Sequence, residues 1–173
     1  EQKAETLNQY NALIEDSVLK LDRTLKDILE YSRNARLELK REQINFNQLV
    51  DETLRKLEFM PGFGDMKKRI LIADAPPFHS DRYGLSVIFN NMISNAVKYA
   101  DHSKQTSIIE VNIRNDSNQA TIEFRDNGIG ISEDLQPRIF DMFFRATESK
   151  EGAGLGLYIV HEAVHMLKGQ IAV

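Results

Sequence analysis

The chain has no cysteine among its 173 residues, which excludes disulfides and thiolate-held metals and fits a reducing compartment. It has no apolar run near the roughly 18–20 residues that a membrane-crossing helix needs. The first ten residues, EQKAETLNQY, lack the apolar centre of a signal peptide. A water-soluble, cytoplasmic chain is therefore expected, with the question of an upstream membrane anchor left open. A basic excess is missing as well: 22 Lys and Arg face 26 Asp and Glu, for a net charge of -4. That balance argues against a general nucleic-acid or anionic-membrane surface but allows a local anion site. Internal repeats and low-complexity tracts are absent. The sequence starts at Glu1 rather than Met and stops at Val173 in what reads as a strand, so a piece of a longer protein is expected.

The apolar content, 42%, supports one buried core with an appendage. Glycine and proline are both absent from residue 3 to residue 36, where Leu7, Ile14, Leu21 and Ile28 recur every seven residues. Val18 and Leu25 complete a coiled-coil-like seam flanked by Leu13 and Leu29. A helix of about 34 residues at about 1.5 Å each is about 50 Å long, more than a small domain is wide. Leaving its six seam side chains in water would forgo on the order of 10 kcal/mol, so a bundle or dimer partner is expected. The polar stretch NARLELKREQ, 34–43, then breaks the heptad and places a boundary near residue 42.

Beyond it the pattern predicts a helix over 48–59 capped by Asn47, and a buried strand RILIA at 69–73. A second helix is predicted from a Ser80 cap to about Tyr99. Two alternating strands follow, SIIEVNI at 107–113 and ATIEFR at 120–125, joined as a hairpin. A last helix over 154–168 and a strand after Gly169 close the chain. Because the hairpin excludes a purely parallel sheet, the expected fold is an α/β two-layer sandwich.

Three segments carry chemistry. Asn91, Asn95 and Lys98 fall at spacings of four and three, on one helical face. An amide oxygen suits Mg²⁺, which shares its shell with substrate phosphates, and a lysine adds a point charge to them. The same asparagines are compatible with simple capping or solvation. The segment DNGIGI, 126–131, puts a carboxylate at a strand end, able to accept from the exocyclic amine of adenine. Its glycines admit a flat base, although Asp-Asn-Gly is also an ordinary turn. Finally GAGLGLYIV, 152–160, leads alternating glycines into an apolar helix whose first N–H groups attract phosphate, or else forms a structural loop. It matches neither G-x-G-x-x-G nor G-x-x-x-x-G-K-[ST].

In order, NMISNAVKY (91–99), DNGIGI, RIFDMFFRA (138–146) and GAGLGL closely resemble the asparagine, first glycine, phenylalanine and second glycine boxes of sensor histidine kinases. EYSR, 30–33, resembles the end of that family's second dimerisation helix, so the likeness spans nearly the whole chain. The phenylalanine box separates it from gyrase, mismatch-repair and chaperone relatives with the same ATP fold. The resemblance implies a mixed sheet with helices on one face, residues 1–42 as second dimerisation helix and linker, and 43–173 as an ATP-binding catalytic domain short of its last strand or strands. It implies ATP and Mg²⁺ as ligands, with Asn95 holding the metal, Lys98 on phosphate, Tyr99 against the nucleotide and Asp126 on adenine. Asn91, Gly128, Gly130, Ile131, Phe143, Gly152, Gly154, Leu155 and Gly156 would line the pocket. Residues 145–151 would be a lid anchored by Phe140, Phe143 and Phe144. A homodimer through the first helix and a response-regulator receiver domain are the implied partners, with no nucleic acid and no direct membrane contact.

Two features stand apart. HEAVH, 161–165, matches the H-E-x-x-H zinc pattern, but MLKGQIAV offers no downstream His, Asp or Glu as third ligand, so no zinc site is expected. Members of the family phosphorylate a histidine that is followed by an acidic residue and, within a few residues, by proline. No such motif occurs in the sequence. The acceptor is therefore expected upstream, no catalytic side chain is assigned, and the chain alone is expected not to phosphorylate itself. Two other readings remain: a catalytically silent, ATP-responsive dimerisation module, and a serine kinase built on the same ATP fold.

Overall fold

The computed structural model describes residues 10, 11, 14, 18, 39–73, 75–147 and 153–173. The heptad helix, EYSR and Gly152 lie outside the described residues, apart from Tyr10, Asn11, Ile14 and Val18, which are helical and exposed. The expected 145–151 lid is described only up to Thr147.

From residue 41 the order is β1 (Arg41–Gln43), α1 (Phe46–Leu57), β2 (Lys67–Ile72), β3 (His79–Asp81), α2 (Arg82–Lys98), β4 (Ile108–Asn115), β5 (Ala120–Asp126), a 3-10 turn (Gln136–Arg138) and α3 (Gly156–Met166). β2, β4 and β5 form a mixed sheet in that order, with β2 parallel to β4 and β4 antiparallel to β5. β1 and β3 pair separately in a two-stranded antiparallel sheet that sequence patterning did not suggest. Three residues per strand are too few for alternation to register.

Period-two alternation sorts the main sheet into two faces. Ile70, Ile72, Ile109, Val111, Ile113, Ile122 and Phe124 join the core shared with the helices. Opposite them lie Arg69, Glu110, Arg114 and Glu123, paired at 2.5 Å (Arg69–Glu110) and 3.3 Å (Arg114–Glu123). The helices thus cover one face, as a two-layer sandwich requires. α2 runs through the middle of the helical layer and buries Leu85, Val87, Ile88, Phe89, Ile93, Ala96 and Val97. Phe89 is fully enclosed and meets Phe124 of β5 edge-on, with ring centroids 5.1 Å apart.

Several boundaries differ from the sequence reading by one or two residues, among them β2 at Lys67–Ile72 and β4 at Ile108–Asn115, and the helix caps and chain end differ for identifiable reasons. Asn45, not Asn47, caps α1, its side chain accepting from the Gln48 N–H at 3.0 Å, so the helix starts two residues early and buries Phe46. Asp81, not Ser80, caps α2: Oδ1 accepts from Gly84 N–H at 2.7 Å while Ser80 is taken up by β3. The last helix starts at Gly156 because Gly154, at φ +73°, is left-handed and cannot belong to it. No strand forms after Gly169; residues 169–173 have no strand partner among the described residues.

Candidate functional site

α2 connects the two halves of the candidate site. Its middle faces the start of α3: a methyl group placed on Gly156 would lie 3.1 Å from Asn91 Oδ1 and 3.8 Å from Asn95 Oδ1. The Asn91 amide nitrogen donates to its own helix at Val87 O, 2.9 Å away, which leaves its oxygen facing α3. Among the described residues the Asn95 amide has no hydrogen-bond partner. Leu155, at the N-cap of α3, supplies no side-chain hydrogen bond. Its side chain is instead buried in the core, so only its backbone is available to a ligand. A helix start without a side-chain cap, next to two amide oxygens, suits an anion with its counter-cation.

The C-terminal end of α2 meets the DNGIG turn. Ile129 N–H donates to Tyr99 O at 3.0 Å. Gly128 is sterically obligatory, since an added Cβ would lie 2.4 Å from Tyr99 O and 2.7 Å from Asp126 Oδ1. Asp126 ends the row Ile122, Phe124, Asp126, so the pleat turns its carboxylate toward the helices, where the pattern would otherwise put an apolar group. Oδ1 accepts from Gly128 N–H at 2.8 Å, and Oδ2 makes no hydrogen bond to the described residues. The carboxylate is exposed at the mouth of the turn, ready to accept from a ligand amine. Lys98 Nζ stands 5.0 Å from the centre of the Tyr99 ring. Gly130 is left-handed at φ +74° with open space around it, and Ile131 is exposed beside it.

Gly154 belongs to a third contact, with the phenylalanine segment. A Cβ there would lie 2.7 Å from both the Phe143 carbonyl carbon and the Phe144 oxygen. Phe143 itself is left-handed at φ 65° and more than half exposed. Phe140 packs against His161 at 5.5 Å, which places the first histidine of HEAVH at the phenylalanine segment. An open groove of about 700 Å³ is lined by Arg138, Asp141, Met142, Phe143, Phe144 and Arg145 and by none of Asn91, Asn95, Asp126 or Gly128. The candidate site is therefore marked by its chemistry rather than by a concavity.

Sequence reasoning passed over two residues that shape this site. Asn127 Oδ1 accepts from Ile108 N–H at 2.7 Å and its Nδ2 donates to Thr106 O at 2.9 Å, tying the turn to the start of β4. Lys104 Nζ donates to Asn127 O at 2.5 Å and Gly128 O at 3.0 Å. All four bonds span about twenty residues, and no local pattern announces them.

With this geometry in view, comparison with known proteins is informative. Residues 80–173 match the family described as Histidine kinase-, DNA gyrase B-, and HSP90-like ATPase, and the chain belongs to that family. Its relatives over most of its length are histidine kinases. The Methanogenesis regulatory histidine kinase FilI of Methanothrix harundinacea (strain 6Ac) is 31% identical over 164 residues, 92% of this chain and 18% of that protein. The sensor protein kinase WalK of Staphylococcus aureus is 28% identical over 177 residues, covering 94% of this chain and 40% of the relative. The chain thus spans less than half the length of either. Among solved structures, the Acinetobacter baumannii histidine kinase AdeS shares the fold at a TM-score of 0.70 and 22% identity, over 94% of this chain and 75% of that one. The mycobacterial sensor histidine kinase MprB does so at 0.61 and 23%, over 75% and 81%.

Proposed function

We propose that the chain is the ATP-binding catalytic part of a two-component sensor histidine kinase, passing the γ-phosphoryl group of ATP to a histidine on an upstream helix. The observation that carries this reading is the meeting, on α2, of two half-sites of complementary chemistry. At one end Asp126 offers an unpartnered carboxylate oxygen beside a glycine that cannot be replaced. At the other, Asn91 and Asn95 face the uncapped start of α3. Adenine at the first and phosphates at the second satisfy both.

In this reading Asp126 accepts from the adenine amine, Gly128 and Gly130 keep side chains off the base, and Tyr99 lies against the nucleotide. The first N–H groups of α3 and Lys98 bind phosphate oxygens. The Asn95 oxygen fits Mg²⁺ as a neutral hard donor, and the metal, when bound, neutralises charge on the phosphates. The transfer forms a phosphorus–nitrogen bond to imidazole as the bond from phosphorus to the ADP oxygen breaks, and the imidazole N–H proton would pass to the acidic residue that follows the histidine in the family's motif. The protein contributes positioning and charge rather than covalent chemistry.

Homodimerisation through residues 1–42 and a response-regulator receiver domain complete the proposal. Support for the first comes from Ile14 and Val18, two seam positions exposed at 60% and 59% in the single chain. The test supplies a separate dimerisation domain together with Mg-ATP. The intact chain is expected to phosphorylate that domain and Asn95→Ala to lose both Mg-ATP binding and transfer; unchanged transfer by the variant would sink the assignment.

A further inference from the structure

Between α2 and β4 the chain makes a short excursion, 99–107, whose only long cationic side chain is Lys104. It does not extend into solvent as a surface lysine ordinarily would. Its ammonium donates to two successive carbonyls of the adenine turn, Asn127 O at 2.5 Å and Gly128 O at 3.0 Å, and lies 3.5 Å from Asp101 Oδ2. Asp101 is itself fixed, its Oδ1 accepting from Ser103 N–H at 3.0 Å and from the Ser103 hydroxyl at 2.7 Å. Successive carbonyls aimed at one point repel each other unless a cation stands between them. The turn that makes them converge is the turn that brings Gly128 N–H onto Asp126 Oδ1 and leaves Oδ2 for a ligand.

Resting on the adenine assignment above, we infer that Lys104 is a positioning residue for base recognition: it neutralises the converging Asn127 and Gly128 carbonyls and so fixes the rotamer of Asp126 that reads the exocyclic amine. The contacts of the lysine are to the turn carbonyls and Asp101, so in this reading it acts through the turn. Its side chain is 43% exposed, so its removal leaves the core intact and acts on the turn. Arginine keeps donors that reach the same carbonyls, whereas methionine keeps the length and loses the charge.

The test measures binding of ATP and of purine riboside triphosphate, which lacks the exocyclic amine, by displacement of a fluorescent nucleotide from the whole chain. For the unsubstituted protein, ATP is expected to bind about tenfold or more tightly than the amine-free analogue, the worth of one hydrogen bond to a charged acceptor. Lys104→Met is expected to weaken ATP by about tenfold and the analogue by less than about twofold, collapsing the preference, while Lys104→Arg retains most of it. Asp126→Asn serves as the reference for complete loss of amine reading. Equal weakening of both nucleotides by Lys104→Met would make the lysine a general structural support and overturn the inference. So would a preference that survives Lys104→Met but disappears in Asp126→Asn. Failure of the unsubstituted chain to prefer ATP would instead overturn the adenine assignment, and this inference with it.

Discussion

Gly128→Ala is the substitution for which the geometry is most demanding. Its Cβ would stand 2.4 Å from Tyr99 O and 2.7 Å from Asp126 Oδ1, where ordinary contact begins near 3.4 Å, so turn and helix end must part by about 1 Å. One hydrogen bond crosses that gap, Ile129 N–H to Tyr99 O at 3.0 Å, and a second, Gly128 N–H to Asp126 Oδ1 at 2.8 Å, lies within the turn and is strained by the same Cβ. Neither survives an added ångström, and each contributes about 0.5–1.5 kcal/mol net, so the fold should lose about 1–3 kcal/mol. For a chain of this size that is a fall in Tm of roughly 3–10 °C. ATP affinity should fall further in proportion, by about 10- to 100-fold, because the displaced carboxylate no longer meets the base. Gly64→Ala is the control: nothing lies within 4 Å of its added Cβ and its φ is not positive, so Tm and affinity should both hold. Calorimetry for stability and titration with ATP for affinity read the two effects separately. A Gly128→Ala protein that binds ATP as Gly64→Ala does would refute both the packing argument and the place given to Asp126.

Three further expectations test the frame around that site. Asp81→Ala should cost about 1–2 kcal/mol in urea unfolding, because its carboxylate caps α2 through Gly84 N–H at 2.7 Å and accepts from Lys40 N–H at 2.9 Å; Asp81→Asn should recover most of it. Phe89→Ala, which empties a fully enclosed ring site against Phe124, should cost about 3–5 kcal/mol by the same assay. Hydrogen bonds from Arg82 and Gln48 hold the Glu52 carboxyl below its ordinary 4.5, and those from Ser103 and from Asn118 and Gln119 hold Asp101 and Asp116 below 3.8. These depressed carboxyls contribute stability that is present above their ordinary values and lost as pH falls through the lowered ones. Unfolding at pH 7 and pH 3 should show that loss, and Arg82→Met should shrink the Glu52 share.

How much of this was legible beforehand depends on the range over which each feature is encoded. The core strands were legible because alternation is local: the row Ile109, Val111, Ile113 announces its own buried face. Helical spacing put Asn91 and Asn95 on one face, but that this face meets Gly156 is decided by how α2 packs against α3. Cap positions slipped by one or two residues because Asn45 and Asn47, or Ser80 and Asp81, are chemically equivalent candidates. Only packing decides between them, here the burial of Phe46 and the pairing of β3. For α2 the missed signal was present, since Asp81 directly precedes the helix. The Lys104 and Asn127 bonds were not legible, because each joins segments about twenty residues apart with no repeating pattern to mark the partner.

Glycines of the same sequence character turn out to have different physical tasks, and this bears on how the site works as a unit. Gly128 is small so that α2 can approach the base-reading turn, and Gly156 is small so that α2 can approach the start of α3. Gly154 is left-handed and small so that the phenylalanine backbone can lie against the same strand of glycines. Any side chain at Gly154 would place its Cβ 2.7 Å from the Phe143 and Phe144 backbone, so this glycine sets how closely the phenylalanine segment packs beside the start of α3 two residues on. The phenylalanine segment thus adjoins the proposed phosphate end of the site through Gly154 and Gly156. The base end is held by different contacts, those of Tyr99, Asn127 and Lys104, at the far end of α2.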